Sequence, residues 1–189
     1  MTRIIGILAL QGDFAKHDVM LRMLQADTRQ IKKPEELHQC DGLVIPGGES
    51  TTLTKLMHRY GFYDPIRDFA HRYPIMGTCA GAILVATDVD DPRITPLCLI
   101  NMSIKRNAYG RQIDSFITTV DAPCLGNCTP YRAIFIRAPQ IARIGDKTKV
   151  LLELQGQPIM VQERNVLALT FHPELTNDAR IHQYFLERS

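Results

Sequence analysis

The chain has 189 residues, enough for one domain with a sizeable core, and its 45% hydrophobic and 22% charged content is that of a soluble globular protein. A net charge of +2 gives no electrostatic case for nucleic acid or a membrane surface, and no apolar run is long enough to span a bilayer. Five cysteines (40, 79, 98, 124 and 128), an odd number with no paired framework, favour reduced thiols and a cytoplasmic location.

Along the chain, short apolar runs alternate with amphipathic stretches. Residues 4–10 follow Met1-Thr2-Arg3 like a short leader, but they run straight into Gln11-Gly12-Asp13 without a small-x-small cleavage site. A buried first strand is the better reading. Residues 14–24 read as a helix with Val19, Met20, Met23 and Leu24 as its apolar stripe. A short strand over 28–31 and a proline-led helical turn over 34–38 follow. Residues 42–45 form the next buried strand, broken by Pro46-Gly47-Gly48-Glu49-Ser50. Ser50 is positioned to N-cap a helix running to Tyr60. A helix over 64–72 and a strand at 75–76 complete a β-α-β-α-β rhythm, which implies a mostly parallel sheet with helices on both faces. Residues 88–92 read as a polar loop. Beyond residue 97, six strand-like runs (99–104, 115–120, 133–137, 150–154, 158–162, 166–170) imply more antiparallel pairing, and a helix over 178–187 closes the chain. No repeat or linker divides it, so residues 1–189 are expected to form a single α/β domain.

Gly77-Thr78-Cys79-Ala80-Gly81 carries the strongest chemical signal. Glycines at −2 and +2 flank a cysteine, an apolar run leads in, and a helix-forming run leads out. That is the layout of a nucleophile elbow with sulfur in place of a serine hydroxyl. The thiol would sit at a helix N-terminus, and the amide of Ala80 would be free to donate to an oxyanion. A thiol nucleophile needs a base, and the base needs an orienting group. His172, in Phe171-His172-Pro173-Glu174, follows an apolar strand, at the end where open α/β sheets bind ligands. Extended backbone before Pro173 would place His172 and Glu174 on one side. The triad reading is therefore Cys79, His172 and Glu174. The other histidines (17, 38, 58, 71 and 182) read as solvent-facing, and Cys40 and Cys98 as core. Cys124 and Cys128 have no second thiol pair nearby, and a turn at Gly126-Asn127 accounts for them without zinc.

Pro46-Gly47-Gly48-Glu49-Ser50 lies between a buried strand and a helix. It lacks a P-loop lysine, so the sharper reading is a second oxyanion donor from Gly47 or Gly48. Arg106, in Lys105-Arg106-Asn107-Ala108-Tyr109-Gly110-Arg111-Gln112, is equally compatible with a substrate carboxylate and with an exposed basic loop. Arg137, in Phe135-Ile136-Arg137-Ala138-Pro139, is either a surface residue or a ligand at a strand end.

Together these segments resemble the class I (triad) glutamine amidotransferases, a three-layer fold with a mostly parallel central sheet and additional antiparallel strands. More closely they resemble the glutaminase subunits of pyridoxal 5′-phosphate synthase, the PdxT/SNO family. The likeness covers nearly the whole chain, and Arg106 to Phe116 and Phe135 to Pro139 are its subfamily-specific parts. The resemblance implies hydrolysis of L-glutamine to glutamate and ammonia through a Cys79 thioester, with His172 as acid and base. It implies that Gly47, Gly48, Glu49, Arg106, Ile136 and Arg137 bind glutamine, and that Ala80 with Gly47 or Gly48 forms the oxyanion hole. No metal or cofactor is implied, since pyridoxal phosphate would be a product. The implied partner is the synthase (lyase) subunit in a hetero-oligomeric complex, which receives the ammonia and on which full activity depends. Gln11 is a candidate for coupling the site to that partner. Asp13, in place of a small residue, and the segment 88–96 depart from the family pattern.

Overall fold

The computed structural model describes residues 3–106, 115–126 and 129–188. In chain order the strands are β1 (Ile4–Leu8), β2 (Asp27–Ile31), β3 (Gly42–Ile45), β4 (Ile75–Thr78), β5 (Ala86–Val89), β6 (Ile100–Lys105), β7 (Ser115–Val120), β8 (Tyr131–Ile136), β9 (Gln140–Ile144), β10 (Lys149–Leu154), β11 (Gln157–Glu163) and β12 (Val166–Leu169). The α-helices are α1 (Phe14–Met23), α2 (Ser50–Tyr60), α3 (Tyr63–Ala70), α4 (Ala80–Val85) and α5 (Arg180–Leu186).

The main sheet has seven strands in the order β10-β11-β12-β4-β3-β1-β2. Its five-strand half from β12 to β2 is parallel, and β11 and β10 extend it by antiparallel pairing. Buried on both faces, β1, β3, β4 and β12 are continuous apolar runs, as parallel strands between helix layers must be. Alternation then divides them. Leu43, Ile45, Ile75 and Ala168 pack on one face with α2, α3 and α4, while Val44, Met76, Leu167 and Leu169 pack on the other with α1, α5 and the β7–β8 hairpin. A three-stranded mixed sheet, β5-β6-β9, pairs β5 with β6 in parallel and β6 with β9 antiparallel, and β7 and β8 form a separate antiparallel pair. The α/β architecture expected from the sequence is the one observed.

Several local expectations are corrected. On α1, Val19 and Met23 are exposed, and His17, Met20 and Leu21 form the buried face. The stripe was phased on apolar side chains, but α1 turns a histidine inward. Ser50 begins α2 but does not cap it. The Glu49 side chain accepts the amide hydrogens of Thr51 (3.2 Å) and Thr52 (2.6 Å), a carboxylate at the positive end of the helix. Strands β5 and β9 have no counterpart in the sequence reading: β5 follows α4 without a break, and Gln140 and Arg143 interrupt the apolar residues of β9. Cys98 is exposed, with a left-handed φ of 59°, whereas Cys40 is core as expected. Cys128 lies outside the described residues. His38, His58 and His71 are exposed, but His17 and His182 are fully buried.

That buried pair is linked by a 2.9 Å hydrogen bond between His17 Nδ1 and His182 Nε2. Burial lowers the His182 pKa from 6.5 to about 4, and burial with the charges of His182 and His172 lowers that of His17 as well. Both rings are neutral in the folded state, while in the unfolded chain they protonate below about 6.5. The unfolded state therefore binds more protons below that pH. The stability they contribute is complete above 6.5 and is lost as pH falls towards 4. Thermal denaturation from pH 7 to pH 4 should show a steep fall in Tm for the native sequence and a shallower one for His182→Leu. Equal slopes would contradict this.

Candidate active site

Three neighbouring parallel strands end level with one another. Ile45 of β3 pairs with Gly77 of β4, and Thr78 of β4 with Leu169 of β12. The residues that follow are Pro46-Gly47-Gly48, Cys79 and Thr170-Phe171-His172. Their convergence is therefore a consequence of strand register, at the carboxyl edge where such sheets bind ligands.

Cys79 joins β4 to α4 with φ 49° and ψ −103°. Such a conformation disfavours a non-glycine residue by about 1–3 kcal/mol, so its surroundings must hold it. Its N–H donates to Leu169 O (2.8 Å), and its carbonyl accepts from the Ile83 N–H (3.2 Å). The flanking glycines let the turn lie flush on its neighbours. A Cβ on Gly77 would stand 2.6 Å from Gly81 O, and one on Gly81 would stand 2.0 Å from Ile45 O. The elbow expected from the sequence is present, with Cys79 almost wholly buried.

His172 is fixed by its own N–H, which donates to Ile134 O of β8 (2.9 Å). Its Nδ1 and Glu174 Oε1 are 2.7 Å apart, and both side chains are buried. The expected contact exists, but by a different route. Pro173–Leu175 is a 3-10 turn, so Glu174 curls back under the imidazole and is not an alternate residue of a straight strand. Burial by itself would pull the His172 pKa down. Hydrogen bonds that the ring donates to Cys79 and Glu174, with their negative charges, outweigh it and raise the pKa from 6.5 to about 10. A cationic ring is thus held between a sulfur and a carboxylate, the arrangement that thiol-based acyl transfer requires. Both ring nitrogens are committed in this way, which leaves His172 no lone pair to offer a metal.

Gly47 lies directly against this ring. A Cβ there would meet His172 Cε1 at 2.6 Å and Cys79 Cβ at 3.3 Å. The Pro-Gly-Gly loop is further tied to the end of β1, because the Asp13 N–H donates to Gly47 O (3.3 Å) and the Glu49 N–H donates to Gln11 Oε1 (2.9 Å).

A cavity of about 330 Å³ opens over Cys79. Its wall includes eight of the residues singled out from sequence: Gly48, Glu49, Cys79, Ala80, Arg106, Ile136, Arg137 and His172. Gly47 and Glu174 stand behind the wall and support the imidazole. The Ile136 carbonyl is 3.9 Å from Cys79 Sγ, and Arg137 follows with a left-handed φ of 42°. The wall also includes Gln11, Asp13, Ser50 and Ile83. Asp13 was visible in the sequence as a departure from the family pattern, and its carboxylate comes within 4.8 Å of the ligand atoms of His172 and Glu174. Ser50 is marked in the sequence only as a helix cap, and Ile83 has no signal beyond its place in the helix after the elbow.

The Glu49 pKa is lowered to about 2: burial opposes this, but the hydroxyl and amide hydrogen bonds of Thr51 and Thr52 prevail. Its Oε1 also pairs with Arg106 Nη2 at 3.1 Å. Arg106 Nη1 binds the Asp91 carboxylate, and the Arg106 N–H donates to Asp90 Oδ1 (2.9 Å). The polar loop around residues 88–92 is therefore the seat of Arg106. Hydrogen bonds from Arg93 and Arg106 hold the Asp91 carboxyl well below the usual carboxylate range. Arg137 forms no ion pair with any described residue, so it presents an uncommitted cation to the cavity. Residues 107–114, the remainder of that expected motif, lie outside the described residues.

The fold and this constellation define a glutamine amidotransferase of the triad class. A solved structure described as a glutamine amidotransferase superposes with a TM-score of 0.92 at 41% identity, over 97% of each chain. The chain belongs to the SNO glutamine amidotransferase family, whose model matches residues 7–189. Among curated relatives, the pyridoxal 5′-phosphate synthase subunit PdxT of Dictyoglomus turgidum is 47% identical over 97% of both chains. That of Thermosipho africanus is 44% identical over 96% of both.

The charge on the imidazole is directly measurable. Nitrogen chemical shifts of the His172 ring should remain those of an imidazolium from pH 6 to pH 9, losing the proton only near pH 10. In Glu174→Gln, loss of the carboxylate charge should move that proton loss to lower pH. A neutral ring at pH 7.5 in the native sequence would contradict the charged pair.

Proposed function

We propose that the chain hydrolyses L-glutamine to L-glutamate and ammonia and delivers the ammonia to a pyridoxal 5′-phosphate synthase subunit. The observation that carries this reading is the Cys79–His172–Glu174 set beneath a cavity whose wall also bears Glu49, Arg106 and Arg137. Family membership supplies the substrate class, and the relatives' printed names supply the complex.

In the first half-reaction the Cys79 thiolate attacks the side-chain amide carbon of glutamine. The carbonyl oxygen takes up the negative charge and accepts hydrogen bonds from the Ala80 amide and an amide of Gly47 or Gly48. His172 gives its proton to the departing nitrogen. The C–N bond breaks, ammonia leaves, and a glutamyl thioester remains. In the second half-reaction neutral His172 removes a proton from water as the oxygen attacks the thioester carbon. Collapse expels the thiolate, restores the imidazolium and releases glutamate. Glu174 keeps its contact with the ring throughout and steadies the imidazolium.

The substrate's fixed charges match the cavity. Glu49, ionised down to low pH, suits the α-ammonium, and Arg137 together with Arg106 suits the α-carboxylate. Gly47, Gly48 and Ile136 supply close backbone. Ammonia released into water would protonate and diffuse away, so a docked synthase subunit in a hetero-oligomer is the chemically sensible acceptor. Residues 1–189 act as one glutaminase domain working in the cytoplasm. No described helix is long and apolar enough to cross a membrane. Neither a nucleic acid nor a cofactor enters this scheme.

Ammonia release from glutamine, assayed with the synthase subunit present, should fall by at least a thousandfold in Cys79→Ala. Size-exclusion chromatography should show the complex still assembled. Residual turnover within tenfold of the native sequence would remove Cys79 as the nucleophile.

A further inference from the structure

Glu174 has two carboxylate oxygens, and the triad uses one. Oε1 meets the His172 ring, whereas Oε2 is fully buried with no hydrogen-bond partner among the described residues. A buried anionic oxygen left in this state is strongly disfavoured, so the polar groups around it matter. His17 Nε2 on α1 stands 3.4 Å away, a close contact outside hydrogen-bond geometry. The same nitrogen lies 3.2 Å from Thr78 Oγ1, on the residue just before the elbow cysteine. On its other side His17 Nδ1 meets His182 Nε2 of α5 at 2.9 Å, and His182 Nδ1 is buried without a partner.

The proton positions on these two rings follow from their neighbours. If His17 carried its proton on Nδ1, the bare Nε2 would turn a lone pair towards the carboxylate. A proton on Nε2 instead donates to Thr78 Oγ1 and turns the positive end of the N–H bond towards Oε2. Nδ1 is then an acceptor, so His182 must donate through Nε2, and the orphaned His182 Nδ1 is a lone pair rather than a buried N–H. The donors then run from His182 to His17 and from His17 to Thr78, while His172 donates to Glu174 from the other side. Both extra rings are neutral, so no net charge is added beside the imidazolium.

We propose that His17, fixed by His182 and Thr78, is a positioning residue that backs the free oxygen of Glu174 and keeps that carboxylate aimed at His172. The inference rests on the glutaminase reading above. The groups facing His17 are His182 from α5, Thr78 from β4, and Glu174 and His172 from the segment after β12; the Asp13 carboxylate adds a nearby charge from the loop before α1. Without His17 behind it, the Glu174 carboxylate is free to turn from His172, and the imidazolium loses part of what holds its proton. Proton loss from His172 must then move to lower pH.

The test uses the complex with the synthase subunit and compares the native sequence with His17→Leu and His17→Gln. The Gln side-chain amide reaches the place of the ring Nε2 and keeps a donor there. His17→Leu should lower kcat about tenfold with KM for glutamine changed less than twofold, and move proton loss from the His172 ring, read from its nitrogen shifts, to lower pH. His17→Gln should recover kcat to within about threefold and return that proton loss to its native position. Native kcat and native His172 titration in His17→Leu would overturn the proposal, as would equal losses in both variants with an unmoved His172 titration. A measurement on the native chain requires no variant to fold and no activity: long-range nitrogen–proton correlation should show the His17 proton on Nε2 at pH 7. A proton on Nδ1 would overturn the proposal even if Cys79→Ala abolished turnover. The Nε2 tautomer with an active Cys79→Ala would instead fault the glutaminase reading alone.

Discussion

The 2.7 Å contact between His172 Nδ1 and Glu174 Oε1 is the interaction on which the rest of the site depends. An imidazole this deeply buried would ordinarily shed its proton. With the carboxylate on one nitrogen and the sulfur on the other, it keeps the proton well above neutrality. Remove the carboxylate and the ring becomes a poor proton donor to a leaving group. Remove the ring and the thiol has no base within reach. The reactivity of Cys79 therefore originates in a short turn almost a hundred residues further along the chain.

The fold makes that dependence affordable. Cys79 and His172 come together because β4 and β12 are adjacent and end in register, and the Cys79 amide is itself bound to the last residue of β12. The strained elbow is held by glycines that allow backbone to touch backbone, and Gly47 lets the neighbouring loop close against the imidazole. On the opposite face, α1 and α5 bury two neutral histidines behind the carboxylate. Substrate-facing charges are arranged by a second network: Glu49 caps α2 and pairs with Arg106, while Asp90 and Asp91 fasten Arg106 from the loop after β5. Gln11, just after β1, fastens this second network to the sheet by accepting from the Glu49 amide.

Much of this was legible in the sequence wherever a local pattern determines structure. The elbow announces itself through its glycines, and Gly42–Ile45 was bounded correctly because a fully apolar run ends at Pro46. His172 and Glu174 were found from their place after an apolar strand, although a 3-10 turn, not extended backbone, unites them. What escaped depends on distant partners. His17 looks like any polar residue of an amphipathic helix until α5 brings His182 to it. Asp90 and Asp91 look like a solvated loop until β6 carries Arg106 alongside. Glu49 and Ser50 compete for the same cap, and the longer side chain, already reaching over the helix end towards Arg106, takes it.

The central claim is that the elbow network, not exposure, selects the reactive thiol. Cys79 is nearly buried and Cys98 is exposed, which permits a direct comparison. The complex with the synthase subunit should be treated with a diazoketone analogue of glutamine and analysed by intact mass and peptide mapping. The account predicts a single adduct, on Cys79, that is lost in His172→Ala and prevented by excess glutamine. An adduct on Cys98, or labelling of Cys79 that persists at the native rate in His172→Ala, would contradict it.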